Sequence, residues 1–266
     1  MEESRDYRRT RQTLGRALRF CFRPRYRGQE HVPVDGPVII AANHLSHIDP
    51  AFIMTATSRE VNYLSKQEHF DGRLRRALFS RMGVIPVDRD AGGSDALAEV
   101  EAILRGGGVV GIFPEGTRSR DGKMGRGRTG VARLAAATGA AVVPVAIRET
   151  DRVIPVGKRV PRLWRRFYYE FGDPLYFTAK EANREALREF TDEIMDAITA
   201  LSEEAGDYWH SRRLRTRMAA WQDRNGLGRA KLRASLDARA QALRAHRLRG
   251  FGLLFQRGRT LHRVHP

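Results

Sequence analysis

Short apolar runs alternate with longer segments of helical period along the first 200 residues. Val38–Ala42, Val61–Leu64, Val84–Val87, Val109–Phe113, Val142–Ile147 and Phe167–Phe171 read as six strands. Between them, apolar residues recur three and four apart. Leu74, Leu78, Phe79 and Met82 predict a helix over 71–82. Ala96, Val100, Ile103 and Leu104 predict one over 94–105, stopped by Gly106-Gly107-Gly108. Val131–Thr138 forms a short helix closed by Gly139. Leu187, Phe190, Ile194, Ile198 and Leu201 mark a long helix over 179–204. Such alternation predicts an α/β fold: a twisted, mixed but largely parallel sheet flanked by helices.

Both ends depart from this rhythm. Residues 5–23 place Leu14, Leu18, Cys21 and Phe22 on one helical face and Arg8, Arg9, Arg11, Arg16, Arg19 and Arg23 around the rest, with Pro24 and Gly28 ending the segment. This amphipathic pattern suits a helix lying in a membrane interface, and equally one packed on its own domain. From 205 onward the chain is rich in Arg and Ala, with Leu232, Leu236, Ala240 and Leu243 at helical spacing. The expected organisation is a basic membrane-surface helix over 1–30, a catalytic domain over 31–204 and a basic helical extension over 205–266. No internal repeat is present.

Charge sharpens that division. The chain of 266 residues carries a formal net charge of +17. Residues 1–30 contribute nine Arg against four acids, and residues 205–266 fifteen Lys/Arg against three acids. The two flanks hold the whole excess, and the middle is neutral. The middle therefore has an enzyme's charge balance, while the flanks suit something anionic. Cys21 is the only cysteine, so no disulfide within the chain and no Cys metal site is possible, in keeping with a reducing cytosol. No apolar run approaches the roughly 20 residues of a spanning helix, and no signal-peptide pattern opens the chain. A peripheral or monotopic protein on the cytoplasmic face of the cell membrane is expected.

Candidate chemistry sits at two strand ends. Asn43-His44-Leu45-Ser46-His47-Ile48-Asp49-Pro50 follows the first strand. A neutral imidazole can take a proton from an alcohol, and a carboxylate on its other nitrogen orients it and supports the imidazolium. Residues five apart share no face of a regular helix. His44 and Asp49 can meet only if the chain turns before Pro50; otherwise Asp49 is a helix cap and His44 a turn residue. His47 is a rival base. Phe113-Pro114-Glu115-Gly116-Thr117-Arg118-Ser119 follows the fourth strand and offers backbone N–H groups, a hydroxyl and a guanidinium, as a phosphate monoester requires. Arg89 leaves the third strand at the same end of the sheet. Gly125-Arg126-Gly127-Arg128-Thr129-Gly130 matches the spacing of a dinucleotide fingerprint but follows polar loop rather than a strand.

Taken in order, Asn43-His44 with Asp49, Gly83–Arg89, Phe113–Ser119 and Val142-Val143-Pro144-Val145 resemble the four motifs of the glycerolipid acyltransferases, most closely the bacterial 1-acyl-glycerol-3-phosphate acyltransferase type. The resemblance covers about 28–204. It implies an O-acyltransferase with His44 as general base and Asp49 orienting it. Arg89, Glu115, Gly116, Thr117 and Arg118 would hold the acceptor, and Pro144 would shape the acyl side. The donor would be acyl-CoA or acyl-carrier protein and the acceptor lysophosphatidate, giving phosphatidate, with no cofactor and no metal. Another lysophospholipid or a glycolipid is the alternative acceptor. A nucleic-acid binder acting through the basic tail and a phosphohydrolase using His44 and Asp49 are more distant readings. The tail carries no recognised nucleic-acid motif, so no nucleic acid is expected as a partner.

Overall fold

A computed structural model of the chain describes residues 4–66, 72–87, 94–119, 123–154 and 160–203. Seven strands form one sheet: β1 (Arg23–Arg27), β2 (Val38–Ala42), β3 (Val61–Lys66), β4 (Val84–Val87), β5 (Val109–Ile112), β6 (Ala141–Arg148) and β7 (Arg166–Phe171). Their order across the sheet is β1-β7-β6-β2-β5-β3-β4. All neighbours are parallel except β6 and β7, so β1 and β7 run opposite to the other five. The helices are α1 (Arg5–Cys21), α2 (Asp49–Ala56), α3 (Arg73–Arg81), α4 (Ser94–Arg105), α5 (Gly130–Thr138) and α6 (184–203).

Burial explains the strand sequences. All five residues of β2 are buried, as a central parallel strand covered on both faces requires. One face of the sheet carries Ile40, Ala42, Tyr63, Val143, Val145 and Tyr169 against Phe52 and Ile53 of α2. The other carries Ile39, Ala41, Val142 and Ala146 against Val100, Leu134, Phe190 and Ile194. Each large aliphatic or aromatic side chain so enclosed contributes roughly 1.5–3 kcal/mol.

The N-terminal helix and the flanking strand β1 pack on the rest of the domain. Leu18, Cys21 and Phe22 pack into the core beneath α2, and Leu14 joins Tyr7, Met54 and Met82 in a third cluster. Tyr7 is fully buried, and its hydroxyl accepts the Val61 N–H at 2.9 Å. The chain then continues as an edge strand with alternating exposed arginines. The last helix starts later than expected because Asn183 caps it, accepting the Ala186 N–H at 2.9 Å. No described helix is long and apolar enough to cross a membrane. The expected extension over 205–266 lies outside the described residues.

Candidate active site

The parallel arrangement brings the loops after β2 and β5 to one edge of the sheet, where neighbouring strands end side by side. The first loop turns back before α2, and the turn makes the five-residue spacing productive. Asp49 is the first residue of α2 rather than its cap, and its carboxylate reaches back over the loop. Oδ2 of Asp49 accepts from Nδ1 of His44 at 2.9 Å and from the Leu45 and Ser46 N–H groups at 2.8 Å each. Asp49 is completely buried, whereas 16% of the His44 side chain is exposed. The contact places the imidazole proton on Nδ1 and leaves Nε2 with its lone pair. Phe113 stacks on the imidazole with ring centres 3.9 Å apart, and Tyr63 stacks in turn on Phe113. His47, the rival base, is exposed, and the Asp49 carboxylate bonds His44 instead.

Two buried phenols, Tyr63 and Tyr169, feel the charge of this carboxylate. Burial raises Tyr63 and Tyr169 well above the ordinary tyrosine range, and the Asp49 charge adds to both shifts. Tyr63 can lie across β5 because the paired residue there is Gly111, where a Cβ would fall 2.1 Å from the ring.

The second loop clamps the first. Glu115 Oε1 accepts the His44 N–H at 3.1 Å, and Oε2 accepts the Gly125 N–H at 2.8 Å. The Ser119 N–H donates to the His44 carbonyl at 2.8 Å. Both backbone groups of His44 are thus held by a segment about 70 residues away. Each carboxylate oxygen of Glu115, a residue expected to hold the acceptor, thus accepts one backbone N–H. Gly116 sits at φ 73°, and a Cβ there would meet the Arg128 guanidinium at 3.0–3.1 Å. Thr117 is exposed and Arg118 half-buried, with no ion-pair partner for Arg118 among the described residues. Arg89 lies outside the described residues. Pro144 is buried within β6, where its carbonyl accepts the Gly172 N–H at 2.8 Å.

Some contributors were not singled out from the sequence. Asn43 exchanges two hydrogen bonds with the Ile147 backbone, at 2.7 and 2.9 Å, and so ties the end of β2 to β6. Its position directly before His44 was the available signal. Arg128 comes from the glycine-rich segment weighed as a dinucleotide fingerprint. That segment proves to be irregular chain leading into α5, with Gly125 serving the Glu115 clamp. A cleft of about 360 Å³ opens beside the loops, lined by Asn43, Leu45, Glu115, Ile147, Arg148 and Thr199 among others. No cluster of three or more metal-ligating side chains occurs among the described residues.

Residues 23–148 match the family described as acyltransferase. Over 133 residues the chain is 35% identical to the chloroplastic 1-acyl-sn-glycerol-3-phosphate acyltransferase of Arabidopsis thaliana, a match covering 49% of this chain and 37% of that protein. The 1-acyl-sn-glycerol-3-phosphate acyltransferase of Borreliella burgdorferi is 35% identical over 47% of this chain and 50% of its own length. The match therefore spans half or less of either relative. The crystal structure of a 1-acyl-sn-glycerophosphate acyltransferase from Thermotoga maritima superposes with a TM-score of 0.63 over 75% of this chain and 79% of that chain. At 24% identity that likeness speaks to the fold.

Proposed function

We propose that this acyltransferase moves a fatty acyl group from acyl-CoA or acyl-carrier protein to the free hydroxyl of lysophosphatidate, forming phosphatidate. The reaction takes place at the anionic, cytoplasmic face of a membrane. The observation that carries the reading is the buried Asp49 carboxylate on Nδ1 of a partly exposed His44. That pairing leaves Nε2 as the general base. Nε2 takes the proton of the acceptor hydroxyl as its oxygen attacks the thioester carbonyl, and the imidazolium returns a proton to the departing thiolate. The hydroxyl's own oxygen is the nucleophile, so no acyl-enzyme intermediate is required. Asp49 gains importance as positive charge develops on the ring, which is transition-state stabilisation rather than ground-state binding.

Acceptor binding falls to Arg118 and Thr117, with Glu115 and Gly116 shaping the same loop. Arg118 has no carboxylate partner among the described residues, and its guanidinium offers the charge and geometry that a phosphate monoester accepts. Arg89 belongs to the same proposed anion site. The names of the relatives above support the choice of a 1-acyl-glycerol-3-phosphate acceptor.

The test is transfer of a labelled acyl group from acyl-CoA, and separately from acyl-carrier protein, to a panel of lysophospholipids and glycolipids. Selective labelling of lysophosphatidate is expected, with His44→Ala lowering turnover by roughly 10²–10⁴-fold, the range for loss of a positioned base. Preferential labelling of another acceptor would replace the substrate. Full activity in the His44→Ala protein would refute the mechanism.

A further inference from the structure

The apolar stripe first read from residues 5–23 is half-buried or buried against the domain, yet α1 exposes a different apolar side chain. Phe20 is 72% exposed and meets the half-exposed Trp164 edge to face, with ring centres 5.7 Å apart. Leu163, beside the tryptophan, is 49% exposed. Trp164 has φ 62°, a left-handed conformation that costs a bulky side chain energy, and its N–H is tied to the Cys21 carbonyl at 2.8 Å. The fold therefore holds an indole outward where relaxed chain would not.

Charge surrounds these rings with one sign. Residues 16–25 contain four arginines and residues 160–166 three, and neither segment contains an acid. Arg16, Arg23, Arg162, Arg165 and Arg166 are all exposed. Arg23 pairs with Arg166 across the β1–β7 ladder, so like charges are set side by side where an internal ion-pair network would alternate them.

Topology sets this patch on the catalytic rim. β1 and β7 run opposite to β2 and β6, so the N-terminal ends of the first pair lie at the same edge as the C-terminal ends of the second. Ala42, the last residue of β2, is level with Val145, while the β6–β7 ladder extends outward as far as Arg148 opposite Tyr168. Arg166 and Trp164 lie further out still. The patch and His44 are thus two strand spacings apart, about 10 Å laterally, on one edge.

We propose that Phe20, Leu163 and Trp164, with their ring of arginines, form the surface by which the enzyme seats itself on an anionic bilayer, apolar side chains in the interface and guanidiniums at the headgroups. The proposal rests on the acyltransferase reading, because a lipid acceptor gives the catalytic rim reason to face a membrane. Indole and guanidinium are the side chains suited to that boundary, and anionic lipid supplies the counter-charge that the protein lacks here.

Two measurements test it. In the full chain with Trp209→Phe and Trp221→Phe, Trp164 is the sole indole. Phosphatidylglycerol-containing vesicles with brominated acyl chains should quench its fluorescence and shift its emission to the blue. Sedimentation with the vesicles without quenching, or no sedimentation, overturns the proposal. The double variant Phe20→Ser with Trp164→Ser should lose roughly tenfold in vesicle partition coefficient, the scale of losing one or two buried apolar side chains. Its transfer to a monodisperse short-chain acceptor should match the wild type. Unchanged partitioning also overturns the proposal. The soluble assay keeps the two readings apart: absence of transfer in every protein, with quenching intact, would defeat the acyltransferase reading and leave the lipid surface standing.

Discussion

Asp49 Oδ2 accepts three N–H groups, and only one of them takes part in the proposed reaction. The Leu45 and Ser46 N–H groups fix the loop, and the His44 contact would orient the proposed base. The two roles are separable by substitution. Asp49→Asn retains a carbonyl oxygen in the same place and loses the charge. It should keep the fold and lower kcat roughly 10²–10⁴-fold, since a neutral amide supports an imidazolium poorly. Asp49→Ala orphans two buried backbone donors and should also lower stability by about 1–3 kcal/mol for each. Steady-state kinetics and urea unfolding on the two variants check this, and equal stability losses would show that charge also holds the loop. A second residue-scale expectation concerns pH. Burial pushes Tyr26 from 10.0 to about 12, partly offset by its hydrogen bond with Thr55. Its folded pKa is raised, so its contribution is complete below pH 10 and lost as pH rises toward 12. That loss amounts to about 2–3 kcal/mol. Wild-type unfolding midpoints should therefore fall more steeply across this window than those of Tyr26→Phe.

At the scale of elements, the site depends on two loops locked together, and Glu115 is the lock. Glu115→Gln leaves one oxygen for two N–H donors and points an amide donor at the other. It should separate the loops, lowering kcat and costing about 1–3 kcal/mol, with little change in acceptor KM. A raised KM at constant kcat would instead restore Glu115 to acceptor binding. The elements themselves were unevenly legible. β2, β4 and α4 fall where their apolar pattern put them, because strands and helices buried on a covered sheet must carry that pattern. β1 was not legible. Its Arg-Pro-Arg-Tyr-Arg sequence is an edge strand that needs little burial, and its partner lies about 140 residues away. The meeting of His44 with Asp49 was foreseen as conditional on a turn. Glu115 as a clamp was not, because which N–H a carboxylate serves depends on strand order, and local sequence does not encode that order.

The whole molecule separates its charge from its chemistry. The neutral middle supplies six of the seven strands and the proposed catalytic loops, and the excess cations lie at the two ends of the chain. Of the N-terminal share, Arg16 and Arg23 belong to the proposed membrane-seating patch. The share in residues 205–266, with fifteen Lys/Arg against three acids, is larger. Attraction between such a segment and anionic lipid is long-ranged and screened by salt, whereas seating of Phe20 and Trp164 is apolar and salt-tolerant. The two contributions should thus separate by ionic strength. Removing residues 205–266 should weaken binding to phosphatidylglycerol vesicles strongly at low salt and only slightly at high salt. Transfer to a monodisperse acceptor should be unaffected at either. Titrating vesicle binding against salt for the full chain and the truncated one gives two slopes, and a shallower slope for the truncated protein is the expected result. Equal slopes would mean that the tail's charge is spent elsewhere and that the arginines on the rim alone set the electrostatic approach to the membrane.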